Sequence, residues 1–385
     1  MRSFKTIVAL AFCLSALMCA GESEGQAETV VEFTGEAIQR AIDTLAAKGG
    51  GKVVVPPGLY PIITIRLRSE VELHLKKGAV LSGSNGFRKY ARFPMDRSIT
   101  MVNMGRGLIQ AWNETNVSIT GEGVVDAGGE AYFDMSSPNY KGAFFRPRFG
   151  ERPVTVQFCR CANIRISGVS FLNAAGWGMH IRLCKNVDIE GIEVRSDRRF
   201  INSDGIDLDA SCHVRMRSSK ICTGDDSLSL RAIREPDSSE HAILEDIVVE
   251  DCDFVSGCQT IRVGCPSDDT VRNVMFRNIR AAGRNGIFFD YPVRYLTKND
   301  TGYVDVHDIV FDGYTGEFYG SALQIVVEPG IKLRAVRDVL FKDINVKSAK
   351  PLRFVDNAHT RLVRLKRINF TLNGMQMSDG EFYAD

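Results

Sequence analysis

A small polar residue followed by an apolar-x-apolar run recurs along most of the 385-residue chain. It reads S-E-V-E-L-H-L from Ser69, T-N-V-S-I from Thr115, A-N-I-R-I from Ala162, K-N-V-D-I from Lys185 and C-H-V-R-M from Cys212. It continues as E-D-I-V-V from Glu245, R-N-V-M-F from Arg272, H-D-I-V-F from His307 and R-D-V-L-F from Arg337. Alternation with period two turns one set of side chains inward and the other outward, which predicts strands. With Asn116, Asn163, Asn186, His213, Asp246, Asn273, Asp308 and Asp338 as markers, the steps are 47, 23, 27, 33, 27, 35 and 30 residues. The first step is expected to hold two coils, leaving a period in the mid-twenties with loop insertions.

Short strands at this interval, with no helix between them, cannot each bury a face alone. Stacked as successive turns of a parallel β-helix, they share one apolar column. A propeller would need about four strands in each ~40–45-residue repeat, and a sandwich would need tight hairpin turns at short intervals. Neither pattern dominates. The predicted fold is all-β, a single-stranded parallel β-helix forming one domain over residues 28–385.

One segment departs from the strand pattern. Between Thr34 and Lys48 the residues Ala37, Ile38, Ala41, Ile42 and Leu45 recur at helical spacing, with Thr34 as N-cap and Gly49 to Gly51 as the stop. This α-helix is expected to cap the open N-terminal end of the column, whose strand edges would otherwise be exposed. The polar residues Asn373 to Asp385 are expected to lie on the last coil as a tail or to fray.

Composition narrows the partners. With 48 basic and 47 acidic residues the chain has no strongly basic balance of the kind that binds nucleic acid. M-R-S-F-K and the apolar run Thr6 to Met18 have the form of a secretory signal peptide over residues 1–21, with cleavage after Gly21 or as late as Ala27. The expectation is a secreted or periplasmic protein with no membrane span. Lipid anchoring through Cys19 is the lesser alternative, because Ala16 and Met18 are poor neighbours for that signal. Eight of the ten cysteines follow the leader, without the C-x-x-C spacing of a zinc site. They are expected to be small buried residues, with one or two disulfides at most.

The chemistry concentrates between Asn202 and Arg231. The segments N-S-D-G-I-D-L-D and T-G-D-D-S-L-S-L-R each set acidic residues beside a glycine, about one strand-turn-strand unit apart. Ile206, Leu208, Leu228 and Leu230 have the inward parity, so Asp207, Asp209 and Asp225 point outward. Asp204 and Asp226 reach the same side only if the chain bends at Gly205 and near Gly224. Asp207 and Asp209 read as turn-start aspartates bonded to local amides. Asp204, Asp225 and Asp226 are harder to explain structurally, because like charges held this close destabilise the site. Rungs about 4.7–4.9 Å apart can separate two carboxyls by the ~6.5–9.5 Å that inverting glycoside hydrolysis requires. Calcium coordination is the competing use of such a cluster.

The chain resembles the polygalacturonase-like glycoside hydrolases of family 28. The resemblance rests on A-I-Q-R-A-I-D, G-G-G-K-V-V-V-P-P-G-L-Y, G-A-V-L-S-G-S from Gly78, R-P-V-T-V-Q-F-C from Arg152, and above all N-S-D-G-I-D and T-G-D-D-S-L-S-L-R. It implies a right-handed β-helix and hydrolysis with inversion without a cofactor or metal. Asp225 would be the general acid, Asp204 and Asp226 would activate water, and Asn202 would position the site. Arg231 would pair with a saccharide carboxylate.

Two departures alter the expected substrate site. The family's G-H-G is replaced by G-C-Q-T-I-R-V-G from Gly257, so Cys258 or Gln259 takes the histidine's place. Its Arg-x-Lys after Gly-Ile is replaced by Phe288 and Asp290. Arg262 can supply part of the lost charge, Asp290 can bind sugar hydroxyls, and Tyr291, Phe289 and Trp177 can stack on sugar rings. The expected protein is a secreted inverting glycoside hydrolase of pectic or related polysaccharide with a modified substrate site. The alternative is a catalytically inactive carbohydrate-binding β-helix protein; a calcium-dependent lyase is a third reading.

Overall fold

The computed structural model describes residues 27–30, 32–84, 86–93, 105–235, 240–296, 300–356 and 362–382. The expected leader, residues 1–21, lies outside the described residues. Helix α1, Gly35–Ala47, starts at Thr34, whose Oγ1 accepts from the Ala37 N–H at 3.2 Å. Its face of Ala37, Ile38, Ala41, Ile42 and Leu45 is buried against the first coil. Each large aliphatic on that face removes apolar surface from water worth about 1.5–3 kcal/mol.

The strands wind into a right-handed parallel β-helix with three faces. On the first face the apolar positions lie in register from Leu73 through Ile119, Ile166, Ile189, Met216, Val249, Phe276 and Phe311 to Phe341. Phe276, Phe311 and Phe341 stack nearly parallel with centroids 4.8 and 5.0 Å apart, so the column ends in an aromatic pile. The second face includes Ser170–Leu172, Glu193–Arg195 and Lys220–Thr223. The third face carries Gly107–Trp112, Val154–Cys159, Met179–Arg182, Ile206–Asp209 and Leu228–Arg231, then the later parts of Asp253–Gly264 and Thr270–Tyr291.

The marker residues acquire a physical role. Asn116, Asn163, Asn186, His213, Asp246, Asn273, Asp308 and Asp338 all take left-handed backbone angles, with φ between 52° and 62°. Asparagine and aspartate tolerate that conformation better than most side chains. Their side chains also bond from coil to coil: Asn163 Nδ2 donates to Asn116 Oδ1 at 2.8 Å, and Asn186 Nδ2 to Asn163 Oδ1 at 2.9 Å.

Two expectations are corrected and one choice between alternatives is decided. The 47-residue step is one coil, because Ala162 pairs directly with Thr115. The added length leaves the helix as an excursion that includes the antiparallel pair Phe133–Asp134 and Arg146–Pro147, and Phe133 stacks on Phe200 at 4.3 Å. Of the two alternatives for the C-terminal segment the structure shows the first: Met375–Met377 and Gly380–Phe382 pair antiparallel with Val363–Leu372 and lie on the last rung. The eight cysteines from Cys159 to Cys265 are all unpaired thiols, so none of the one or two expected disulfides forms.

Candidate active site

The acidic residues meet at the corner where the second face turns into the third. Asp204 precedes the strand Ile206–Asp209, while Asp225 and Asp226 precede Leu228–Arg231 on the next coil. Backbone bonds lock these coils together, since the Gly205 N–H donates to Asp226 O at 2.8 Å and the Ile206 N–H to Ser227 O at 3.1 Å. Asp204 is 4%, Asp225 9% and Asp226 1% exposed, so Asp225 is the most open of the three.

The glycines serve close approach at this corner. A Cβ on Gly224 would lie 2.3 Å from Phe200 O and 2.7 Å from Ser203 Oγ, and one on Gly205 would lie 2.3 Å from Ser227 O. Neither glycine has the positive φ that a left-handed bend would require. The expected bend is therefore replaced by tight stacking of backbone on backbone.

Asp225 is held from several directions. Its Oδ2 accepts from the Asn202 N–H and its Oδ1 from the Asp226 N–H, both at 3.1 Å. Its carbonyl accepts from Ser256 Oγ at 2.7 Å and Thr223 Oγ1 at 3.0 Å. Asn202 is in turn fixed by Arg152, whose Nη2 donates to Asn202 Oδ1 at 2.7 Å and whose Nη1 reaches the carbonyls of Ala175 and Ile201. Arg152 was not singled out in the sequence, where nothing marks a lone arginine at the end of an insertion as part of this corner.

The electrostatics are dominated by burial. Asp226 is pushed up to about 8 by burial, against the pull of Arg262. Asp204 is raised well above the carboxylate range, first by burial and then by the charges of Asp207, Asp225 and Asp226. Arg262 Nη1 lies 3.1 Å from Asp226 Oδ2, and its Nη2 lies 3.6 Å from Asp290 Oδ2. Arg262 is thus shared between two acids.

Cys258 takes the place opposite the acids. Its sulfur and one oxygen each of Asp225 and Asp226 lie within 4.8 Å of one another. This is closer than the cross-rung spacing expected for an acid-base pair, because Asp225 and Asp226 are chain neighbours. Burial raises the Cys258 thiol well above its ordinary value, keeping it neutral. Gln259 is 5% exposed with Oε1 unpartnered among the described residues, and its carbonyl accepts from the Ser227 N–H. The two side chains therefore separate, with Cys258 against the acids.

Other expected site residues are enclosed. Asp207 and Asp209 are completely buried in the middle of their strand, paired with Arg231 and Arg182 respectively. Their outward parity was correct, but their turn-start reading is not: each neutralises an arginine on the polar side of the third face. Burial raises Asp207 to about 7 against the pull of Arg231, whereas Arg182 and His180 overcome burial and hold Asp209 below its ordinary value.

Arg231 is 1% exposed, donates to Ser229 Oγ at 2.8 Å, and lies 4.8 Å from the Trp177 ring centroid. That enclosure removes it from direct pairing with a saccharide carboxylate. Tyr291 and Phe289 are packed in the apolar core at 1% and 0% exposure, because their inward parity directs them there. They offer no ring face to a sugar, and Trp177, 3% exposed, is sealed beneath the surface. Asp290 and Phe288 keep the outward side, with Arg262 5.5 Å from the Phe288 ring centroid.

Residues 96–238, which include both acidic motifs, match the family model for glycosyl hydrolases family 28. A "Probable polygalacturonase" of Vitis vinifera is 27% identical over 239 residues, covering 57% of this chain and 46% of that protein. The chain thus matches less than half the length of that relative. A "Probable endo-xylogalacturonan hydrolase A" of Neosartorya fischeri is 24% identical over 358 residues, 81% of each chain. The solved hyperthermoactive exopolygalacturonase of Thermotoga maritima shares the fold, with a TM-score of 0.70 and 21% identity over 94% of this chain and 97% of that one.

Proposed function

We propose that this chain, a polygalacturonase-like glycoside hydrolase of family 28, cleaves a pectic polysaccharide with inversion, using Asp225 as general acid and Asp204 and Asp226 to activate water. The observation that carries the reading is the buried corner of three carboxyls, with the most exposed one, Asp225, fixed by two backbone amides.

Burial favours a proton on Asp226, whereas the acid role needs one on Asp225. One oxygen of each carboxyl lies within 4.8 Å of the other's, a gap that one water bridges, so the proton is relayed between them through that water. Asp225 then gives it to the leaving glycosidic oxygen as the C–O bond breaks. Asp226, left ionised beside Arg262, takes a proton from the water that attacks the anomeric carbon from the opposite face. The cluster ends with the same number of protons as it began.

The substrate site is altered around the point of cleavage. Phe288 and Asp290 supply no cation, and Arg262 is already shared by Asp226 and Asp290. A neutral sugar fits this position better than a uronate. The protein is exported, a reading supported by its basic N-terminus and apolar run from Thr6 to Met18; N-terminal sequencing of the mature protein after Gly21 or as late as Ala27 checks it.

The test is product analysis on polygalacturonate, xylogalacturonan and rhamnogalacturonan, with NMR of the first anomer released. The account expects an inverted anomer and faster cleavage of a polymer with neutral residues. A retained anomer contradicts the mechanism, and polygalacturonate as the best substrate contradicts the altered site. Binding of these glycans without any hydrolysis would support the carbohydrate-binding alternative.

A further inference from the structure

A second polar concavity lies toward the N-terminal end of the third face. It encloses about 300 Å³ and is lined by Arg66, Arg68, Arg92, Phe93, Trp112 and Glu114. Its floor is Gln110, in register with Arg66 on one side and Gln157 on the other. The same outward row continues through His180 and Asp207 to Ser229. Four rungs of about 4.8 Å therefore separate Gln110 from Ser229, roughly 19 Å along the helix axis.

The charges around this pocket are unequal. Glu114 is occupied, accepting from the Ser69 N–H at 2.7 Å and Ser69 Oγ at 2.6 Å, with Arg68 Nη1 at 3.7 Å. Arg68 also meets Asp43 at 3.2 Å. Arg92 is 69% exposed in its side chain and only 4.0 Å from Glu151. Arg66 is exposed and its guanidinium has no ion-pair partner among the described residues. Arg66 is thus an unpaired cation beside a half-buried indole, and Arg92 is a largely exposed one whose pairing with Glu151 is at the 4.0 Å limit of an ion pair. Trp112 is braced by Phe93 edge-on at 5.4 Å and by Arg160 at 5.1 Å, which fixes its orientation.

We infer that this pocket is a remote subsite for a carboxylate-bearing sugar, with Arg66 and Arg92 on the carboxylate and Trp112 against the apolar face of the ring. A planar guanidinium matches a carboxylate with two parallel hydrogen bonds, and an indole covers the C–H face of a pyranose. The inference rests on the pectic reading above and assigns it a division of labour. At the cleavage point Phe288 and Asp290 supply no cation and Arg262 is shared by two acids, while a uronate some distance along the glycan is recognised here.

The experiment uses the full mature chain and two readouts. In the first, calorimetry measures binding of galacturonate oligosaccharides of increasing length to the Asp225→Asn protein, with Arg66→Ala/Arg92→Ala as the comparison. The pocket predicts at least tenfold weaker binding in the double variant, a loss that vanishes for neutral galactose oligosaccharides and shrinks at high salt. In the second, hydrolysis of long and short substrates by the otherwise wild-type double variant should show a raised KM for long substrates with kcat little changed.

Unchanged affinity in the double variant, or equal weakening for neutral glycans, overturns the assignment. If the wild type cleaves pectic substrate while the double variant binds normally, the pocket alone is rejected. If the parent protein neither binds nor cleaves any uronate glycan, the pectic reading falls and this subsite with it. Trp112→Ala supplies a further check, since loss of ring stacking should weaken long uronate and neutral glycans alike without altering the salt dependence.

Discussion

Replacing Asp226 with asparagine should make the folded chain more stable as pH rises, although it disables the proposed site. Asp226 is 1% exposed, and burial lifts it from 3.8 to about 8. Because the folded value is the higher one, the stability linked to this group is complete below the unfolded value near 3.8. It is then lost as pH rises toward 8, at about 1.4 kcal/mol per pH unit while the unfolded carboxyl alone ionises.

Asparagine keeps the shape and does not titrate, so the variant escapes that loss. Against this stands the attraction of Arg262 at 3.1 Å, which the variant forfeits while Asp290 remains at 3.6 Å. The forfeited contact costs about 1–3 kcal/mol, nearly independent of pH. The gain over the two units from pH 5 to pH 7 is about 2–3 kcal/mol. The variant should therefore be less stable than the parent near pH 4 and as stable or more stable by pH 7. Urea midpoints at pH 4, 5, 6 and 7 read the difference directly. A gap that stays constant with pH, or widens against the variant, would refute the claim that Asp226 is held protonated by burial.

Three further outcomes follow from other parts of the structure. Gly224→Ala places a Cβ 2.3 Å from Phe200 O and 2.9 Å from Asp197 O; overpacking should cost about 1–3 kcal/mol in urea unfolding, and a shift of about 1 Å at Asp225 should lower kcat roughly 10²-fold. Arg231→Met removes the partner of buried Asp207 and should cost about 3–5 kcal/mol at pH 8, with a smaller loss at pH 6, where Asp207, raised to about 7, already carries its proton. Because Arg231 is enclosed, KM for pectic glycans should stay nearly constant, and a large rise in KM would return it to the substrate site. Reducing agent should leave the melting temperature unchanged, since the eight cysteines from Cys159 to Cys265 are free; a marked fall would reveal a structural disulfide.

The repeat was legible because one physical requirement recurs in it. Each coil needs a residue tolerant of left-handed φ before an apolar-x-apolar strand, so Asn163, Asn186 and Asp246 advertise the architecture as clearly as the apolar residues. Spacing alone could not reveal that the interval from Asn116 to Asn163 is one coil with an excursion, since an insertion and an extra coil lengthen the chain alike. Strand parity placed Asp207 and Asp209 on the polar side correctly, but parity says nothing of cover. Whether an outward side chain meets solvent, as Arg66 does, or an arginine from the next rung, as Asp207 does, depends on a partner distant in sequence on the adjacent coil. The same limit hid Arg152, and it left open whether Cys258 or Gln259 faced the acids until Cys258 was seen beside Asp225 and Asp226.

The central claim is that Asp225 delivers the proton in glycan hydrolysis. Reducing-sugar release from the best pectic substrate, compared between wild type and Asp225→Asn at matched concentrations of folded protein, tests it most directly. Loss of a positioned proton donor predicts a fall in rate of roughly 10²–10⁴-fold, with binding of the same glycan retained. Equal release by the two proteins would contradict the account.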